Sequence, residues 1–123
     1  MVKLLHKEIT HNIIGLCYDV YNELGYGYQE KYYQKAFSLL LNENKIKFEK
    51  ELKIPIKFRN IIIGRYYVDF LIENKIALEF KIGEDFRNQY TQQILAYLKS
   101  RNIPVGLVIL FSSKGIKVKR YVN

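Results

Sequence analysis

The sequence predicts an α/β domain: a mixed central sheet flanked by helices, with elements in the order α-α-β-β-β-α-β-β. Three observations carry this. Two stretches with apolar residues at helical spacing come first, a hairpin with alternating side chains sits in the middle, and a helical stretch leading into a nearly all-apolar run follows. A hairpin strand, a helix and a doubly buried strand in succession imply a right-handed crossover, and so a parallel pair in the sheet. At 123 residues the chain forms one domain, 1–123, whose core buries roughly two-thirds of the unfolded surface.

Taken in order, Ile9, Ile13, Leu16, Cys17, Val20 and Leu24 predict an amphipathic helix over 6–24, ended by Gly25-Tyr26-Gly27. A second helix is expected over 29–44, with Tyr33, Ala36, Phe37, Leu40 and Leu41 as its buried stripe and Glu30 in its first turn. Residues 46–58 alternate apolar and charged side chains, as a strand with one wet face does, and Pro55 places that strand at an edge because it has no N–H to give to a ladder. Arg59-Asn60 reads as a turn, 61–63 as a short strand and Gly64 as a bend. The central hairpin occupies 66–82. A helix over 85–101 follows, ended by Asn102-Ile103-Pro104. Residues 105–111 read as a strand buried on both faces, and 116–122 as a last strand that alternates with Lys117, Lys119 and Arg120.

The hairpin carries the chemistry. Its arms are β-branched and aromatic, and Glu73-Asn74-Lys75 interrupts them. A three-residue loop pairs Ile72 with Ile76 and hence Asp69 with Glu79; a two-residue loop would set Asp69 against Phe80. With side chains alternating, Tyr67, Asp69 and Leu71 are expected on one face of the first arm. Ala77, Glu79 and Lys81 share a face of the second, and Ile76, Leu78, Phe80 and Ile82 form the apolar side. Two carboxylates about 5 Å apart repel by roughly 3 kcal/mol at an effective dielectric of about 20. Lys81 offsets part of this, and a divalent cation with oxygen ligands, magnesium or manganese, offsets more. The competing reading is a cross-strand salt-bridge ladder on a solvated face.

Composition narrows the classes. Half the residues are apolar and 15% aromatic, which fits a globular chain. No apolar run approaches the 18 or so residues that span a bilayer, and Met1-Val2-Lys3-Leu4-Leu5 leads into a polar, periodic segment without the look of a secretory signal. A cytoplasmic location is the expectation. The single cysteine, Cys17, excludes an internal disulfide, and its place on an apolar helical stripe reads as a core thiol. His6 and His11, five apart, do not share a helical face. The net charge of +8 favours a polyanionic partner such as nucleic acid or, less specifically, an acidic membrane surface.

On the following helix Gln93 and Tyr97 lie one turn apart on one face. Asp69, then Glu79-x-Lys81, then Gln93-x-x-x-Tyr97 resembles, in order and spacing, the PD-(D/E)XK nuclease superfamily and in particular its RecB-like branch. Gly27-Tyr28-Gln29-Glu30-Lys31-Tyr32-Tyr33 fits Gly-x-x-Glu-x-x-Tyr, the signature of the small GxxExxY family, which carries the same later elements. The likeness covers about residues 10–120. Val68 stands where the superfamily name has proline.

The resemblance implies a restriction-endonuclease-like core and a metal-dependent nuclease acting on DNA, with Mg2+ or Mn2+ as cofactor. It implies Asp69 and Glu79 as metal ligands, the Phe80 carbonyl as a third, and Glu30 as a helical carboxylate pointed at the metal. Lys81 would activate water or steady phosphate charge, Gln93 would position Lys81 or the phosphate, and Tyr97 would support Gln93 or pack on nucleic acid. Arg65, Arg87, Lys99 and Arg101 are candidates for backbone contacts. The bland alternatives are a helix-capping Glu30, a core Tyr97, a Gly27 that serves only its turn, and solvated basic side chains. Two other functions stay open at this level: a non-catalytic nucleic-acid-binding module, and a protein-interaction subunit that forms a homo-oligomer through its tyrosines and the Pro55 edge.

Overall fold

The computed structural model describes residues 6–123; the segment 1–5, on which the reading of the N-terminus rests, lies outside the described residues. Helix α1 (Lys7–Leu24) buries Ile13, Cys17 and Val20 along one stripe. It ends where Gly25, at φ 77°, gives its N–H to the Tyr21 carbonyl. Helix α2 (Glu30–Glu43) buries Tyr33, Phe37 and Leu41. Strands β1 (Phe48–Phe58), β2 (Ile61–Ile72) and β3 (Ile76–Ile82) form a meander, α3 (Asn88–Arg101) crosses over, and β4 (Val105–Ser112) and β5 (Gly115–Val122) complete the sheet. The element order is the one expected.

The sheet runs β1-β2-β3-β4-β5, with β3 and β4 parallel and the other pairs antiparallel. β1 is an edge, as Pro55 requires, and every residue of β4 is buried. Helices α1 and α2 cover one face, where Phe37 and Leu41 meet Phe70, Leu78, Phe80 and Phe111. The Phe37 and Phe80 rings stand 5.2 Å apart and those of Phe70 and Phe80 5.6 Å apart. Each such ring contributes roughly 1.5–3 kcal/mol by burial. Helix α3 covers the other face with Ile94, Tyr97 and Leu98 against Leu71, Ala77 and Val108. Gly106 on β4 lets it come close: a Cβ there would lie 2.7 Å from Cγ1 of Ile94.

Three local expectations are corrected. Residues 61–72 form one strand, without a bend at Gly64. Gly64 pairs with Ile56, and the mismatch is taken up by a bulge beyond Ile56, where Lys57 pairs with Ile62. Helix α3 starts at Asn88, three residues later than its periodicity suggests. Glu84 instead accepts hydrogen bonds from the Ser113 main-chain N–H and hydroxyl, which ties the segment before the helix to the β4–β5 turn. Alternation along β2 also fails at one point. Phe70 and Ile72 pack with α1 and α2, whereas Val68 packs with α3, as Leu71 does, and Tyr67 is 54% exposed. Tyr67 therefore does not share a face with Leu71. Strand β1 changes sides at the same level: Phe48 packs with the first layer, Leu52 and Ile54 with the second, and Glu51 between them has φ 55°. The change falls at Asp69 on β2, between the pairs Lys50↔Phe70 and Leu52↔Val68.

Candidate functional site

The hairpin register is the three-residue one, with Ile72↔Ile76, Leu71↔Ala77 and Phe70↔Leu78. Beyond Phe70 the two strands part. Side chains take over the bridging: the Asp69 N–H donates to Oε1 of Glu79 at 3.0 Å, and the Phe80 N–H donates to Oδ2 of Asp69 at 2.7 Å. β2 continues out along β1, while β3 stays with β4 through Ile82↔Phe111. Asp69 and Glu79 thus stand at the crotch of a fork.

Lys81 lies two residues past Glu79 on the same face. Its Nζ is 3.5 Å from Oε2 of Glu79 and 5.0 Å from the centre of the Tyr90 ring on α3. The third carboxylate arrives from the other layer. Glu30 is the first residue of α2, its carboxylate interacts electrostatically with Lys81 and Asp69, and Gln34 one turn on donates to its Oε1 at 3.1 Å. Gln34 also reaches Asp69.

The Gly27-x-x-Glu30-x-x-Tyr33 stretch explains how Glu30 is aimed. Gly27 adopts φ 118°, which a side chain would strain, and so serves the turn. Tyr33 is fully buried, stacks on Phe111 at 4.3 Å and donates its hydroxyl to the Gly25 carbonyl at 2.6 Å. That bond fastens the connecting loop to the helix and fixes where α2 begins.

Electrostatics at the fork are unbalanced. Burial raises the pKa of Glu79, the charge of Asp69 raises it further, and Lys81 opposes both. Burial likewise raises Asp69, against the Phe80 N–H and with the charge of Glu30. Glu30 is raised by burial, with Lys81 and Gln34 opposing. Three half- to fully buried carboxylates face one ammonium, and a cation is the group that would relieve them. Among the described residues no three ligand-type side chains already close around one point. Main-chain N–H groups hold one oxygen each of Asp69 and Glu79, Gln34 holds Oε1 of Glu30, and the other oxygen of Glu79 lies 3.5 Å from Lys81. A cation would therefore draw on the second oxygens of the three carboxylates, in competition with Lys81 at Glu79. That oxygen-only donor set suits a hard divalent ion.

The remaining sequence candidates divide. Gln93 lies three residues beyond Tyr90, on the face of α3 that meets Lys81, and is half-buried. Tyr97 is fully buried in the α3 layer, its hydroxyl unpaired and its charge neighbours Arg101 and Glu49. Burial excludes it from stacking on a nucleic acid, and its place is in the core. Arg87 is the N-cap of α3, at the fork end, and Arg65 is exposed on the part of β2 that runs out along β1. Lys99 and Arg101 occupy the last turn of α3, next to where Val105 pairs with Ile76, the opposite end of β3 from Lys81. A favourable interaction with the helix dipole accounts for them there. Two participants escaped the sequence reading. Gln34 carried a signal, its i+4 spacing from Glu30. Tyr90 gave none, because its contact with Lys81 exists only once α3 lies across β3.

A family comparison now bears on this geometry: residues 7–121 match the PD-(D/E)XK nuclease superfamily. The chain belongs to that superfamily. Members of this PD-(D/E)XK superfamily are generally hydrolytic nucleases that typically use divalent metal ions. Among solved structures, the crystal structure of SSO0001 is similar over 94% of this chain and 78% of that one, with a TM-score of 0.57 and 14% identity. At that identity the likeness speaks for the fold alone. No curated protein matches the chain.

Proposed function

We propose that this PD-(D/E)XK protein is a metal-dependent nuclease that hydrolyses phosphodiester bonds in DNA, of the GxxExxY kind within the RecB-like branch. The observation that carries the reading is the meeting of Asp69, Glu79 and Lys81 at the hairpin fork with Glu30 arriving from α2.

Asp69 and Glu79 would hold the cation, together with the Phe80 carbonyl, and Glu30 would complete the set directly or through water. When bound there, Mg2+ or Mn2+ would supply positive charge to the phosphate and a more acidic water. Lys81, held between Glu79 and the Tyr90 ring, places an ammonium where negative charge grows on the phosphate. Gln34 keeps Glu30 and Asp69 in place. Gln93 orients Lys81 or the phosphate from the next turn of α3. Arg87 and Arg65, exposed on either side of the fork, meet the DNA backbone.

Cleavage of single-stranded, duplex and branched DNA with Mg2+ or Mn2+ tests this. The wild type is expected to cut, and Asp69→Ala and Lys81→Ala are not. Equal cleavage by all three, or none under either metal, overturns the proposal.

A further inference from the structure

Beside the fork lies a hollow of about 340 Å3 lined by Lys31, Tyr32, Gln34, Lys35, Lys50 and Glu51. Lys31 and Lys35 stand one helical turn apart on α2, and Lys50 comes from β1. Like charges at this helical spacing are unfavourable, and among the described residues none of the three lysines is in a salt bridge. Lys31 and Lys50 rest instead over the rings of Tyr32 and Phe70, at 5.2 and 5.6 Å. Two features join the hollow to the fork. Gln34 lines it and also donates to Glu30. Glu51, at φ 55°, lies level with Asp69 across the β1–β2 ladder, and the change of faces at that level sets the hollow's wall.

From this we infer that the hollow is a subsite for a backbone phosphate next to the scissile one, so that the protein holds its nucleic-acid strand on Lys31, Lys35 and Lys50 while the fork carboxylates address the neighbouring linkage. The inference rests on the nuclease reading for the identity of the ligand as nucleic acid. Three ammonium groups against one carboxylate give the hollow a net positive charge, opposite in sign to the fork beside it. A strand crossing the two meets a cationic grip and then a site that needs its own cation. Aromatic rings under two of the lysines hold the grip open without neutralising it.

The test reads binding, not cleavage. The full chain in EDTA is titrated with a labelled single-stranded oligonucleotide at several salt concentrations, by fluorescence anisotropy. Lys31→Gln/Lys35→Gln/Lys50→Gln is compared with Lys7→Gln/Lys75→Gln/Lys114→Gln, which removes the same charge from exposed positions elsewhere. The hollow variant is expected to lose affinity about tenfold or more. Its log–log salt slope should fall by about 0.7, the contribution of one single-strand phosphate contact. The control variant should keep a slope close to that of the wild type. Equal losses in both variants, or none in the hollow variant, overturn the subsite. A protein that cuts DNA while the hollow variant keeps wild-type KM and salt slope loses the subsite and retains the nuclease reading. A protein that cuts nothing but shows the slope difference loses the nuclease reading and retains the phosphate grip.

Discussion

The two halves of β2 are built from similar residues and have opposite fates. Phe70, Leu71 and Ile72 lie between β1 and β3 and are buried. Ile61 and Ile62 pair with β1 alone, Ile63 is the extra residue of the bulge between them and Gly64, and the three are 66, 47 and 65% exposed. Asp69 sits at the boundary. A strand paired on both sides has its main-chain groups satisfied by neighbours, and it spends its side chains on packing. Where the neighbour departs, main-chain N–H groups are left open, and here the carboxylates of Asp69 and Glu79 take them up. The fork is therefore both the place where the sheet ends and the place where acidic side chains can be buried with partners.

The largest effect should come from the paired half. Phe70→Ala removes a ring that meets Phe37, Phe48 and Phe80, and should cost about 3–5 kcal/mol in denaturant unfolding. A loss below about 1 kcal/mol would erase the contrast between the halves. Next, a divalent ion at a hundred times its dissociation constant should stabilise the protein by about 2.7 kcal/mol, read as a rise in Tm. Asp69→Ala should abolish that rise and reduce any cleavage at least about 10²-fold.

Gly106→Ala sharpens a different point, the fit of α3 on the sheet. The added Cβ meets Ile94 and should cost about 1–3 kcal/mol. At the bottom of the scale, Ile62→Ser on the open half should change stability by no more than about 0.5 kcal/mol.

The pH dependence tests the boundary itself. The folded-state pKa values of Asp69, Glu79 and Glu30 are raised above their ordinary values, chiefly by burial. Such groups stabilise the fold while protonated, and that stability is lost as pH rises through the folded-state values. Metal-free protein should accordingly lose Tm as pH rises from the carboxylate range through neutrality. Added Mg2+ or Mn2+ should restore it on the alkaline side and do little on the acid side, where protons compete for the same oxygens. Asp69→Asn keeps an acceptor for the Phe80 N–H while removing the charge, and should flatten the metal-free decline.

Much of this was legible in the chain. The hairpin register followed from one choice of loop length, because a shift of one residue would have turned the Phe80 series out of the core. The run 105–111 could only be a doubly covered strand, and Pro55 could only be tolerated at an edge. The 61–63 segment misled because Gly64 looked like punctuation. A bulge in the partner ladder absorbed it, and a bulge depends on two strands at once. Tyr97 shared a face with Gln93, yet spacing along one helix does not say how deep each position sits; the layer of Leu71, Ala77 and Val108 took the tyrosine in.

The sequence by itself determined the order of elements, the hairpin register and the acidic and basic groups on it, because these depend on local periodicity and turn length. Tertiary structure decided what those groups face. The change of sides at Glu51 and Asp69, the arrival of Glu30 and Gln34 from α2, and the Tyr90 ring under Lys81 all require elements far apart in the chain to pack together. Periodicity carries no information about distances across a core, and those distances set the charges of the site.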